Sequence, residues 1–172
     1  SDSGRKIHAL TITDLDITDY PAVQEKIKAV SPAVVINTAA FHKTDECEND
    51  IEKSFRINCF AVSNLARVCR DNDSILVSFS SDYVFNGKKG SPYTEQDTPD
   101  PLNVYGMSKL AGEKEIQKQL SKYFIVRTSY MFGSSYSREK GGNIVETFIK
   151  LGTEREIVKA AEDHIVTPTY AK

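Results

Sequence analysis

The stretch Ser78–Lys114, SFSSDYVFNGKKGSPYTEQDTPDPLNVYGMSKLAGEK, decides how the rest of the chain is read. Leading into it, Ile75, Leu76, Val77 and Phe79 form a short apolar run that ends on Ser80 and Ser81. Such a run fits a buried parallel strand, and the carboxyl edge of an open α/β sheet is where ligands bind. Ser81 is expected at that edge. Residues from Asn86 to Pro101 are rich in Gly, Pro and Asp and read as a loop. From about Val104 to Leu120 the chain is built of good helix formers, with Leu110, Ala111, Ile116 and Leu120 as an apolar stripe. On that helix Tyr105 and Lys109 lie one turn apart on one face.

Ser81, Tyr105 and Lys109 together make a candidate catalytic set. A phenol with a pKa of about 10 needs a nearby positive charge to favour its ionised form, and Lys109 is expected to supply it. The Ser81 hydroxyl is placed to hydrogen-bond a substrate oxygen and hold it within reach of Tyr105, the geometric demand on a general acid. None of the three transfers a hydride, so a cofactor is implied.

Tyr-x-x-x-Lys alone carries little information, since 8 tyrosines in the chain give about even odds of a chance match. Tyr136 and Lys140 have the same spacing, but they sit in GSSYSREKGG, a Gly and Ser-rich stretch without helical periodicity. The pair is rejected. Without further motifs, Tyr105 would read as a surface tyrosine beside a solvated lysine.

Further motifs are present. VVINTAAFHKTDECE, SSDYVFNG, YTEQDTPDPLNVYGMSKLAGEK, RTSYMFG and DHIVTPT follow one another in an order that resembles the dTDP-4-dehydrorhamnose reductases of the extended short-chain dehydrogenase/reductase group. The likeness covers nearly the whole chain and is most specific at DYVFNG and PLNVYGMSKLAGE. It implies a Rossmann fold, an α/β doubly wound parallel sheet, and NAD(P)H-dependent reduction of the 4-keto group of a dTDP-linked 6-deoxysugar. On this resemblance Ser81 takes the place of a catalytic Thr or Ser, Tyr105 that of the proton donor, and Lys109 that of the lysine that also holds the nicotinamide ribose.

The resemblance also assigns binding positions. Asp16 and Ile17 match an acidic and apolar pair beside the adenine, although Asp16 reads equally well as a turn residue. Thr38, Ala39 and Ala40 match the backbone along the dinucleotide, and Asn58 a helix asparagine that supports the catalytic strand and the cofactor. Thr11 stands where an acid would bind the ribose 2′-hydroxyl of NADH, which leaves room for a 2′-phosphate and favours NADPH. Asp82, Tyr83 and Asn103 match positions lining the sugar pocket; Tyr130 stands where many relatives have Trp and reads either as a stacking surface or as core. DHIVTPT departs from the usual Asp-Gln-x-Gly-x-Pro-Thr at His164 and Val166. No metal is expected, because neither His42 nor His164 has a second ligand at metal spacing.

Composition bounds the rest. The 172 residues suit one core, with 40% hydrophobic and 27% charged residues as in ordinary globular proteins. A net charge of −2 with interspersed signs offers no basic patch for nucleic acid. No apolar run reaches membrane-spanning length and SDSGRKIHAL lacks signal-peptide character, so a cytoplasmic protein is expected, a homodimer being compatible. Cys47, Cys59 and Cys69 read as reduced thiols.

In order, the pattern predicts a strand at Lys6–Thr11, a helix capped by Thr18 or Asp19 and begun by Pro21, and a strand at Ala33–Asn37. A long helix from about Ile51 to Arg70 follows, then the strand into Ser81, the Tyr105 helix, a strand at Tyr123–Thr128, a helix from Asn143 and a short strand near Ile157–Lys159. GSSYSREKGGN reads as a lid or binding loop. The family opens on a Gly-rich phosphate loop, and Gly-x-x-Gly-x-x-Gly occurs nowhere in this chain. The 172 residues are therefore expected to be part of a larger reductase: an incomplete dinucleotide-binding domain in which residues 129–172 begin the substrate-binding part. Two alternatives stay open, another nucleotide-sugar epimerase or dehydratase, and a regulatory subunit on the same fold, such as the β-subunit of methionine adenosyltransferase.

Overall fold

The computed structural model describes residue 4 and residues 6–133, 144–159 and 166–171. The core is a parallel sheet of three strands, β1 (Val34–Asn37), β2 (Ile75–Ser81) and β3 (Tyr123–Thr128), in that order. Helix α1 (Tyr20–Val30) precedes β1, and the sequence explains both its ends. The Asp19 carboxylate caps it by accepting from the Ala22 N–H at 3.1 Å, with Pro21 in the first turn. Ser31 closes it in the left-handed region.

Between β1 and β2 run α2 (Thr44–Asn49), α3 (Ile51–Phe55), a π-helical segment (Arg56–Ala61) and α4 (Val62–Asp71). The long helix expected from Ile51 is therefore present, but it carries a π-segment at RINCFA. Periodicity at 3.6 residues cannot reveal one wide turn, and such segments recur at functional sites. Helix α5 (Val104–Gln119) crosses from β2 to β3.

Leu76 of β2 is fully buried with Val23 and Ile27 of α1, Leu65, Ala66 and Val68 of α4, and Ile116 of α5, while Val35, Tyr123 and Ile125 pack against them. Strand residues alternate, so the opposite face presents Val34, Ile36 and Phe124, the last two more than 60% exposed. After β3, Met131–Gly133 (β4) pairs in parallel with Thr169–Ala171 (β5) as a second small sheet, and α6 spans Ile144–Glu154. Among the described residues no helix is long and apolar enough to cross a membrane.

Two expected strands are absent. Lys6–Thr11 forms no ladder: Ile7 is 86% exposed, and the Thr11 N–H and hydroxyl both donate to the Asp14 carboxylate at 2.7 Å. Local turn chemistry has taken the Thr11 N–H that the end of a strand would have paired. Ile157–Lys159 likewise lies outside any strand, with Ile157 exposed. Two apolar residues, Ile157 and Val158, have no force as a strand signal without a neighbouring edge to pair with. Tyr136, Lys140, His164 and the GSSYSREKGGN loop, as well as Asn143, lie outside the described residues.

Candidate active site

Ser81 is the last residue of β2, and its side chain is fixed by its two neighbours: the hydroxyl donates to the Asp82 carboxylate at 3.0 Å and accepts from the Tyr83 N–H at 3.2 Å. Asp82–Val84 then make one 3₁₀ turn that swings Tyr83 back toward α5. The rings of Tyr83 and Tyr105 meet edge to face, 5.6 Å between centroids. This approach depends on the residue after Tyr105. A Cβ on Gly106 would lie 2.2 Å from the Tyr83 carbonyl oxygen, so glycine is what lets the first turn of α5 sit against the 3₁₀ turn.

The start of α5 is held twice. Asn103 is its N-cap, accepting from the Gly106 N–H at 2.8 Å, and Glu48 at the end of α2 accepts from the Val104 N–H at 2.8 Å. Asn103 thus has its side-chain oxygen engaged in capping, a role the sequence reading, which set it beside the sugar, did not include. Lys109, one turn past Tyr105, is buried and donates to the Phe79 carbonyl at 2.6 Å.

The electrostatics correct one expectation. Lys109 was expected to favour the ionised phenol of Tyr105. Instead burial raises the Tyr105 pKa above its ordinary value of 10.0, and hydrogen bonding with Ser81 pulls it back in part. Burial also lowers Lys109 to about 8, opposed by the Glu113 carboxylate. Both groups sit where water is scarce, and desolvation penalises whichever form is charged. Burial therefore favours the neutral phenol of Tyr105. Tyr83 is raised too, by burial first and by Tyr130 and Asp82 beside it, so Tyr130 joins the cluster. Tyr130 adopts φ of 24° at the bend between β3 and β4, an unusual conformation for a non-glycine residue.

The cofactor-side residues are less gathered. Thr38 and Ala39 are exposed and Ala40 half-buried just past the end of β1, where the Asn37 carboxamide oxygen accepts from the Ala39 N–H at 3.0 Å. Asn58, in the π-segment, spends both faces of its amide on protein: it accepts from the Phe41 N–H at 2.9 Å and donates to the Phe41 carbonyl at 2.8 Å and to Ser108 at 3.0 Å. It clamps the 38–43 loop to α5. Asp16 makes an Asx turn to Thr18 that holds its carboxyl below the usual range, and Ile17 packs on the helical core. Among the described residues no three His, Cys, Asp or Glu side chains gather as a metal site, and all three cysteines are buried and free.

Sequence reasoning missed one element beside the set. Glu113, 3% exposed, takes a two-pronged hydrogen bond from Arg127 of β3, Nε to Oε1 at 3.0 Å and Nη2 to Oε2 at 2.6 Å. The signal was available in the spacing Tyr105, Lys109, Glu113, which is one residue per helical turn.

A parallel sheet that delivers Ser81 at its carboxyl edge to a helix-borne Tyr105 and Lys109 defines a Rossmann-type domain of the short-chain dehydrogenase/reductase kind. Its relatives narrow the class. The family described as RmlD substrate binding domain matches residues 1–172, and the chain belongs to that family. It is 37% identical over 171 residues to the dTDP-4-dehydrorhamnose reductase of Aggregatibacter actinomycetemcomitans, covering 99% of this chain and 56% of that protein. It is 35% identical over 170 residues to the spore coat polysaccharide biosynthesis protein SpsK of Bacillus subtilis, covering 99% and 58%. A crystal structure of dTDP-4-dehydrorhamnose reductase from Bacillus anthracis in complex with NADP superposes with a TM-score of 0.91 at 36% identity, covering 99% of this chain and 59% of that one. The chain thus spans little more than half the length of these relatives.

Proposed function

We propose that the protein carrying this chain reduces the 4-keto group of a dTDP-linked 6-deoxysugar with NADPH, converting dTDP-4-dehydrorhamnose to dTDP-rhamnose. The observation that carries this reading is Tyr105, kept neutral by burial and placed beside Ser81 at the carboxyl edge of the sheet. NADPH, when bound, supplies the hydride; the chain supplies the proton and the placement. With substrate bound, the Ser81 hydroxyl turns its one proton from Asp82 to the sugar oxygen, and Tyr105 gives that oxygen its proton. Lys109 has one N–H on Phe79, and its two others serve the nicotinamide ribose and the phenol. The donor set suits a dinucleotide: a buried lysine and a phenol at one strand end, small exposed Thr38 and Ala39 at the next.

Asp16, Ile17, Thr38, Ala39 and Ala40 line the adenine and pyrophosphate side in this reading, with Asn58 holding the loop from behind. Asp82, Tyr83, Asn103 and Tyr130 face the sugar. Residues 129–172, which include the separate β4–β5 sheet, begin the substrate-binding part. The reading includes a cytoplasmic protein without a nucleic-acid partner. Homodimerisation belongs to it as well: Ile51, Phe60 and Met107 are apolar and more than 40% exposed on the helices.

The test is NADPH consumption by the purified full-length protein with dTDP-4-keto-6-deoxysugar, with dTDP-rhamnose identified as product. NADPH binding without consumption overturns the reductase reading in favour of a regulatory subunit. Epimerised or dehydrated product would move it to the neighbouring sugar-nucleotide enzymes.

A further inference from the structure

Behind the candidate site lies a charged pair that the reductase chemistry leaves unused. Glu113 follows Lys109 by one turn on α5, both are buried, and they line one small cavity of about 10 Å³ together with Ser78, Ser80 and Asn58. Arg127 grips both Glu113 oxygens, and its guanidinium lies 5.0 Å from the centre of the Phe85 ring, which stacks on Tyr93 of the 86–101 loop. A carboxylate held at both oxygens has one orientation, and its residue lines the same small cavity as the lysine.

We propose that Glu113, clamped by Arg127, is a positioning residue for Lys109, its carboxylate holding the lysine as an ammonium seated on the Phe79 carbonyl. The other groups around Lys109 cannot replace it. Ser78 and Ser80 of β2 and Asn58 of the π-segment are neutral, Val62 of α4 and Ile125 of β3 are apolar, and Tyr105 on α5 is a neutral phenol. Burial drives Lys109 toward the amine, and Glu113 is the charge that opposes it. An amine at this position keeps its bond to Phe79 but loses the cation that a ribose and a reacting oxygen would meet.

The value of Lys109 to catalysis rests on the reductase reading, but the test reads the lysine itself. The protein, labelled at its lysine side chains and assigned through Lys109→Arg, is titrated by NMR with neither cofactor nor substrate present. Glu113→Gln keeps shape and hydrogen bonding while removing the charge, and it is expected to make Lys109 lose its proton about tenfold more readily. Glu113→Asp, which restores the charge, should recover most of that shift. If Glu113→Gln fails to fold because Arg127 is left unpaired, Glu113→Gln with Arg127→Gln is compared with Arg127→Gln alone, so that the carboxylate is the one charge that differs, and the same fall is expected. An unchanged Lys109 midpoint in whichever variant folds overturns the proposal, and so does Glu113→Asp behaving like Glu113→Gln. Absence of NADPH consumption by the wild-type protein would sink the reductase reading and leave this result standing.

Discussion

The two sides of the site are held by different means. The side built by β2 and α5 is fixed by contacts between residues far apart in sequence: Asn58 to Phe41 and Ser108, Arg127 to Glu113, Glu48 to the start of α5, and glycines at 106 and 112 where backbone meets backbone. Residues 6–19, the adenine side of the proposed cofactor site, are tied mainly by bonds to residues two or three away, Thr11 to Asp14 and Asp16 to Thr18. Long-range clamps resist local opening, whereas a chain of turns can open without disturbing the core. The proton-transfer half is therefore preorganised by the fold itself. The adenine half has its shape set locally and has most to gain from a bound partner.

The largest effect expected from this contrast is on chemistry. In the full-length protein Tyr105→Phe should lower turnover about 10²–10⁴-fold while leaving the affinity for NADPH nearly unchanged, because the ring and its packing on Tyr83 persist and the transferable proton does not. Retained turnover would show that Tyr105 is not the acid. On the other half, the 172-residue chain titrated with NADPH in a calorimeter should show no saturable binding in the micromolar range. Tight dinucleotide binding draws on a glycine turn and a helix N-terminus at the pyrophosphate, and the sequence contains no Gly-x-x-Gly-x-x-Gly. Micromolar binding would mean that another segment takes over that task.

A third prediction breaks the preorganised half at its tightest point. A Cβ on Gly112 would lie 2.2 Å from the Asn58 carbonyl oxygen in the π-segment, so Gly112→Ala must push α5 away from the helix that carries Asn58. A cost of about 1–3 kcal/mol is expected, read as a lower denaturant midpoint. Gly152 in α6 is the control, since a Cβ there meets nothing within 4 Å and alanine should stabilise the helix by about 0.5–1 kcal/mol. Equal behaviour of the two variants would remove close helix packing as the explanation.

These contacts also show what a sequence can and cannot disclose. The β2 strand and the Tyr105 helix were legible because each is local: an apolar run and a helical stripe. The strand end that carries Ser81 and the helix that carries Tyr105 and Lys109 lie where the apolar run and the helical stripe predicted them. The Glu113–Arg127 pair joins residues on different elements, and no local pattern announces which arginine will reach which glutamate. The π-segment adds one residue to a turn, which no 3.6-residue period registers. Lys6–Thr11 failed for the opposite reason, since a short apolar segment needs a neighbouring strand to pair with and Asp14 competes for the Thr11 N–H. The charge relation between Tyr105 and Lys109 was read from spacing alone, and burial, which spacing does not report, sets the direction of the Tyr105 pKa instead.

Lys109 offers a fourth test through pH. Its pKa in the folded chain is about 8, against an ordinary value of 10.5, so between those limits the unfolded chain binds more protons and stability rises with pH. Below pH 8 both states are charged and the folded state bears the full cost of burying the ammonium. The buried cysteines act with the opposite sign, because their raised pKa values make stability fall as pH climbs past the ordinary thiol range. The measurement is therefore the difference between wild type and Lys109→Met in denaturant unfolding across pH 7–11. Lys109→Met should be the more stable near pH 7, and its advantage should shrink as pH rises. A constant difference would place Lys109 in water and out of the site.

The smallest effect expected belongs to the locally held half. Asp16 is exposed and bonds the backbone and hydroxyl of Thr18, so Asp16→Ala removes a turn contact and no packing. Its stability cost should stay within about 0.5 kcal/mol, as for surface residues away from caps and cores. Asp16→Asn keeps a carbonyl oxygen for the Asx turn while removing the charge, which separates turn from ligand. In the full-length protein, a carboxylate that meets the adenine should make both variants bind NADPH several-fold more weakly with turnover at saturation unchanged, since uniform binding is what is lost. A residue that merely shapes the turn gives a different pattern: Asp16→Asn binds as wild type does, and Asp16→Ala shows whatever small loss the frayed turn imposes. Calorimetric titration of the two variants side by side decides whether the segment from Thr11 to Asp19 touches the cofactor or only frames it.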